Sequence, residues 1–251
     1  MMEPDRPDLS PRAELLGYFS NLLGHFGPQH WWPAQTRLEV ILGAILTQNT
    51  SWNNVFLAIG ELRHKDLLAK ARLMNAKALE IEAAIRSSGF FRQKTRTIRG
   101  FMDWLQRNHS GSLRRALAQP PLVLRRELLA LRGIGPETAD AILLYAGDRP
   151  FFVADAYTRR ILGRHGWLAE GAGYDETQQF LHRHLPRDPV LFNEFHALLV
   201  ETAKRHCHRV NPVCSGCPLE FDLLTHGVKP AAIRSRNNQR ATIVSPGSPV
   251  V

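Results

Sequence analysis

The chain lacks several things, and each lack excludes a class. Three cysteines in 251 residues are too few for the disulfide framework that staples small secreted domains. No apolar run approaches the ~20 residues of a membrane-spanning helix. The start, MMEPDRPDLSP, is acidic and proline-rich, where a leader would carry basic residues followed by an apolar stretch. No long alternation of apolar and polar residues occurs, so a sheet-based architecture is excluded. The expectation is an all-α, cytoplasmic protein with no membrane partner.

What is present fits a globular chain. Hydrophobic residues make up 44% and charged residues 22%, enough apolar side chain for one large or two small cores at this length. The net charge is +9, which suits a polyanionic partner. Lys229, Arg234, Arg236 and Arg240 stand in a final segment without acids, so that segment supplies +4 and the remainder is only moderately basic, at +5. Such a balance is compatible with salt-sensitive phosphate binding, although basic runs are usually just solvated faces.

Helical spacing dominates. It predicts helices over 13–23, 36–48, 52–63, 75–87, 93–107, 112–118, 156–165, 175–184 and 191–205, with breaks at Gly27-Pro28, Gly89, Gly111 and Pro120-Pro121. From Gly227 onward the residues are Arg, Asn, Ser, Pro and Gly with little to bury, which predicts a disordered basic tail over 227–251.

The most specific stretch is LRGIGPETADAILLYAGDRPFFVAD, from Leu131 to Asp155. Leu124, Leu128 and Leu131 repeat at helical spacing among arginines, and Gly133 and Gly135 end that helix. Pro136 suits the first turn of the next one, where its missing N–H would have been unpaired anyway. Ala139, Ile142, Leu143 and Ala146 continue it. A glycine turn leading into a helix start presents free amides, a natural seat for phosphate; an ordinary helical hairpin with a glycine stop is the plainer alternative. Asp155 follows the apolar run Phe151-Phe152-Val153 and precedes AYTRRIL, the position of an N-cap. Capping and catalysis are compatible, since the positive end of a helix favours the ionised carboxylate. Facing a sugar, such a carboxylate stabilises an oxocarbenium ion and orients water.

The run LxGIGPxTAxAIL followed by VADAYTRR resembles the helix-hairpin-helix superfamily of base-excision DNA glycosylases, the endonuclease III group. LEVILGAILTQNT at Leu38–Thr50 and SGFFRQK at Ser88–Lys94 extend the resemblance over about residues 30–220. Within that group, WWP ahead of LGAILTQNT and Glu137 in the hairpin helix are most similar to the 3-methyladenine DNA glycosylase III members. The resemblance implies two helical lobes with a DNA-binding cleft between them. Residues 35–150 would form a six-helix bundle carrying the hairpin, and residues 151–226 a second lobe with the N-terminal segment 1–34. The partner would be double-stranded DNA with damaged bases, bound by a monomer in the cytoplasm at the nucleoid.

It also implies roles. Asp155 would be the catalytic carboxylate. Gln48 would fill the space left by an everted base and Phe90 would be the wedge; the plainer alternatives are a helix-end polar residue and a core aromatic. Gly133, Ile134, Gly135, Thr138, Lys94 and Arg160 would contact the DNA backbone. Glu137 stands where bifunctional members carry the lysine that forms a Schiff base, and no lysine occurs between Lys94 and Lys204. A carboxylate forms no iminium, so hydrolysis by water without strand cleavage is expected. Trp31, Trp32, Pro33 and Trp52 match the base pocket, where electron-rich faces favour a cationic alkylated purine; packing between lobes is the alternative.

Cys207, Cys214 and Cys217 have the spacing C-x6-C-x2-C, matching three ligands of the group's iron-sulfur loop. The fourth position is Leu223. An iron-sulfur cluster completed by Asp222, zinc with His206, His208 or His226, and free thiols without metal are the alternatives. The expected activity is a DNA N-glycosylase acting on alkylated purines. A bifunctional glycosylase/lyase on oxidised pyrimidines and a non-catalytic DNA-binding protein are the rivals.

Overall fold

The computed structural model describes residues 10–169 and 171–226, apart from the side chains of 224–226. The expected basic tail at 227–251 lies outside the described residues. Among the described residues the chain is helical, with no strand. The helices are α1 (Pro11–Phe26), α2 (Arg37–Leu46), α3 (Trp52–His64), α4 (Lys70–Asn75), α5 (Ala78–Ala84), α6 (Phe91–His109), α7 (Leu113–Leu117), α8 (Pro121–Leu129), α9 (Pro136–Ala141), α10 (Ala156–Arg164), α11 (Tyr174–His184), α12 (Pro189–Arg205) and α13 (Glu220–His226).

Capping side chains start several of these at the expected places. Ser10, Thr36, Ser51 and Asp188 each accept a backbone N–H from the first turn of the helix they precede, the exchange that satisfies otherwise orphaned donors. From Leu38 to Leu46 every residue of α2 is buried. A helix enclosed on all sides belongs at the centre, its one buried charge, Glu39, being paired with Arg63, and α2 packs against α3, α6 and α9. Its enclosed Ile41, Leu42 and Ile45 each contribute about 2 kcal/mol of burial. α6 is two-faced: Ile98, Phe101, Met102 and Leu105 are buried while Arg92, Arg96 and Arg99 face solvent.

α1 packs on α11 and α12, and α10 packs on α12, giving a second lobe beside the bundle around α2. α9 runs without a break into a wider π turn, Ile142–Ala146, which touches both α2 and α12 and so joins the lobes.

Three stretches depart from the expectation. α4 and α13 were not anticipated from spacing, being six and seven residues long, too short to display a full apolar period. The helix expected over 75–87 is interrupted instead: Ala76 and Lys77 are extended, with ψ of 139° and 147°. No side chain caps the start of α5.

Candidate active site

The glycine turn closes as its residue types require. Gly133 has φ +90°, and a Cβ there would meet Thr97 Oγ1 at 2.1 Å; only glycine fits such a conformation at such a distance. Gly133 and Gly135 are exposed and Ile134 is buried. Gln48 reaches across from the end of α2, its Nε2 donating to the Gly133 carbonyl and to Thr138 Oγ1, both at 2.9 Å. The Thr138 side chain is therefore buried and occupied, leaving only main-chain atoms there for an external partner.

Beside this turn lies a cavity of about 350 Å³ lined by Gln48, Asn49, Phe90, Arg96, Arg132 and Gly133. Phe90 follows Gly89 (φ +67°), is itself left-handed at φ +45°, and is 61% exposed. An exposed phenyl ring held by a glycine-led turn is a projecting feature, so the core-aromatic alternative is excluded.

Two sequence expectations are corrected here. Lys94 does not face a phosphate: it is buried, and its ammonium donates to the carbonyls of Leu46 at 2.8 Å and Ser88 at 2.6 Å. Burial pushes its pKa down to about 8, since a charge in low dielectric is disfavoured. Arg160 also turns inward. Its Nε donates to the Cys207 carbonyl at 2.7 Å and its guanidinium lies over the Tyr157 ring, an assignment no local pattern could reveal.

Asp155 caps α10: its Oδ1 accepts the Thr158 N–H at 2.8 Å. The side chain is enclosed but keeps 13% of its surface open, and its Oδ2 lies 3.4 Å from His196 Nε2 on α12. That separation is an ion-pair distance without the alignment of a hydrogen bond. Burial by itself would raise this carboxyl. The charge of His196 and the Thr158 amide outweigh it and hold Asp155 below the ordinary carboxylate range,.

Glu137, at the exposed start of α9, shifts the other way. Desolvation raises its carboxyl, the neighbouring Asp155 charge adds to that, and His196 and Arg159 oppose it. The two neighbouring carboxyls are thus pushed in opposite directions, Glu137 toward the stronger base.

Sequence reasoning missed two residues. The Tyr145 hydroxyl, on the π turn, shares a hydrogen bond with Nδ1 of His196, and His196 is buried. Each is a single polar group inside an apolar helical run, AILLYA and FHALL, which was the available signal. Tyr145 also touches the aromatic cluster: its ring centroid is 5.3 Å from Trp32. Trp31, Trp32 and Trp52 lie 4.6 to 5.1 Å from one another and all three are half-buried, with Pro33 exposed beside them. The tryptophans, Tyr145, His196 and Asp155 thus form one connected row.

The cysteine loop stands apart from this row. Cys207, Cys214 and Cys217 line a cavity of about 20 Å³, the size of one water, together with His206 and Leu223. Asp222 is committed to His165 Nδ1 at 2.6 Å, and Arg164 donates to Cys207 Sγ at 3.1 Å. Burial pushes the Cys217 thiol up to about 11. His208 offers its carbonyl to Arg164, and the His226 side chain lies outside the described residues. Among the described residues no three His, Cys, Asp or Glu side chains are arranged to hold a metal ion. Leu223 at the fourth corner offers no thiolate, so these residues do not fit a four-thiolate cluster, and the expected fourth ligand of a three-cysteine cluster, Asp222, is held by His165. No described helix is long and apolar enough to cross a membrane.

Comparison with known proteins agrees with this architecture. The chain is 43% identical, over 79% of its length and 90% of the relative's, to a candidate DNA repair glycosylase of Methanocaldococcus jannaschii. It is 29% identical to the endonuclease III of Thermotoga maritima, over 72% of this chain and 80% of that one. The crystal structure of H. pylori 3-methyladenine DNA glycosylase bound to 1,N6-ethenoadenine superposes with a TM-score of 0.67 at 26% identity, covering 76% of this chain and 96% of that one. Residues 42–187 match the HhH-GPD superfamily model, and the chain belongs to that superfamily of base excision DNA repair proteins.

Proposed function

We propose that this protein is a DNA N-glycosylase that hydrolyses the glycosidic bond of alkylated purines in duplex DNA, using water and without strand cleavage. One observation carries the reading: an ionised, nearly enclosed carboxylate, Asp155, ends a continuous row that begins at three clustered tryptophans. The tryptophan faces suit a cationic N-alkylated purine, and Asp155 suits the oxocarbenium ion left as that base departs. The names of the H. pylori and M. jannaschii relatives support the same direction.

The remaining roles follow the chemistry. Extruding a nucleotide costs a few kcal/mol; Phe90, exposed and projecting, would fill part of the gap, with Gln48 beside it bracing the hairpin. The exposed amides at Gly133 and Gly135 would receive phosphate. Glu137 has no amine to attack C1′, so no Schiff base forms there; as a carboxylate made more basic by burial and by the Asp155 charge, it suits accepting the proton of the attacking water. These roles fall on side chains and main-chain amides of this chain. The enzyme would work as a monomer on cytoplasmic, nucleoid DNA.

Base release from methylated duplex DNA by wild type and Asp155→Asn tests the reading. Loss of release by about a thousandfold, the scale of a lost electrostatic catalyst, is expected; release at the wild-type rate overturns it. Borohydride trapping on abasic DNA separates the rival: a covalent adduct would reveal an amine nucleophile and a lyase of the endonuclease III type.

A further inference from the structure

Asp155 presents a physical problem. A carboxylate with 13% of its surface open should drift toward its neutral form, and a neutral acid cannot stabilise an oxocarbenium ion. The Thr158 amide supplies one hydrogen bond to Oδ1. Oδ2 has a different neighbour, the His196 ring, whose Nε2 is buried, without a hydrogen-bond partner, and 3.4 Å away. A buried ring nitrogen left unpartnered is costly unless it carries charge against an anion.

The other ring nitrogen explains how that charge is accommodated. Nδ1 of His196 faces the Tyr145 hydroxyl, and a hydroxyl can donate to a neutral imidazole or accept from an imidazolium. Tyr145 therefore satisfies Nδ1 in either state while fixing the ring plane. The ring edge of Phe152 packs against the same imidazole, at 6.3 Å between centroids. The charged groups that act on this site are Glu137 from α9 and Arg159 from α10, the latter with its Nε turned back on the Asp155 carbonyl. His196 favours an anion at 155; Glu137 opposes one, and Arg159 acts on Glu137.

We infer that His196 is a positioning residue that keeps Asp155 ionised in its enclosed seat, and that Tyr145 holds the imidazole for this task while joining it to the tryptophan cluster. The inference rests on the glycosylase reading above. It adds a partner of opposite charge to the carboxylate. A base stacked on Trp32 sits one side chain from the relay, so the pocket and the charge that drives bond cleavage share a residue, Tyr145.

Single-turnover base release from a methylated duplex, measured from pH 5 to pH 9 for wild type, His196→Gln, Tyr145→Phe and Asp155→Asn, tests it. Wild type should hold its rate toward pH 5. His196→Gln, uncharged but able to bond Tyr145, should stay within about threefold of wild type at pH 8 and lose about tenfold by pH 5, because burial then raises the Asp155 carboxyl against the Thr158 bonds alone,. Tyr145→Phe keeps the ring against Trp32 and should shift the acid limb in the same direction by less. An equal loss for His196→Gln at every pH, or none, overturns the inference. If His196→Gln melts early, the Tyr145→Phe limb decides alone, and an unmoved limb overturns it. Asp155→Asn separates the layers: if it is inactive while the limbs stay fixed, the inference fails and the glycosylase reading stands; if it is active, the reading itself fails.

Discussion

A Cβ placed on Gly43 of α2 would lie 2.8 Å from Cζ2 of Trp32. The helix backbone and the indole therefore share one contact surface, and the aromatic cluster is seated directly on the central helix. Gly43→Ala must displace Trp32, an overpacking change of roughly 1–3 kcal/mol. Chemical denaturation should register that cost. The Kd for a lesion-bearing duplex should rise about tenfold while the Kd for undamaged duplex stays level.

Asp140 ties the two hairpin helices to each other through Arg125 and to α11 of the second lobe through Tyr174 and Gln178. Arg125 grips both Asp140 oxygens at 2.7 and 3.0 Å, and Tyr174 and Gln178 from α11 add two more bonds to the same carboxylate. Asp140 is fully buried, so Arg125→Met leaves its charge inadequately matched, at a cost of about 3 kcal/mol. Thermal melting checks this, and Asp140→Leu combined with Arg125→Met should recover part of the loss.

His182 accepts the Phe152 N–H at 2.9 Å, and Gln178 donates to the Phe152 carbonyl at 2.7 Å. Burial, then Arg187 and Arg125, push the His182 pKa down to about 4 from 6.5. Between those values the unfolded chain binds the proton and the folded one does not, so stability from this group rises with pH through the window. It is complete above pH 6.5, lost progressively on acidification, and flat below pH 4. Unfolding free energies between pH 4 and 7 should have a shallower slope in His182→Gln.

Arg164 closes the cysteine loop with bonds to Cys207 Sγ at 3.1 Å and to the carbonyls of His208 and Arg209 at 2.6 and 3.0 Å. Arg164→Met should cost about 2 kcal/mol, read by denaturant titration. Freshly prepared protein should lack a thiolate-to-iron absorbance band, and stoichiometric iron by elemental analysis would contradict the fit described for this loop.

Phe90 is 61% exposed, so Phe90→Ala should leave stability within about 0.5 kcal/mol. Base release from duplex should nonetheless fall about tenfold, with less effect on single-stranded substrate, where no stack must be broken. Comparing the two substrates isolates the wedge from the chemistry.

The parts legible in the sequence were those set by local chemistry. Gly133 was readable because a left-handed φ and a Cβ clash leave no other residue possible, and Asp155 because a short acid before a helical run caps it. Lys94 was misread because its partners, Leu46 and Ser88, are brought to it by tertiary packing. The same holds for Arg160 and the Cys207 carbonyl. His196 and Tyr145 went unread for a related reason: each lies in an apolar run whose spacing indicates only burial, and what they face depends on how α12 crosses the turn after α9.

That turn limits how the chain can change. Because Ile142–Ala146 is wound wider than an α-helix, it holds one extra residue in its circuit. Deleting any one of them would tighten the coil and swing later side chains by roughly 100° about the axis, moving the phenol at 145 off the imidazole it now meets. Spacer length between the hairpin and the acid is thus restricted to discrete values, and insertions are better tolerated in the surface loops than here.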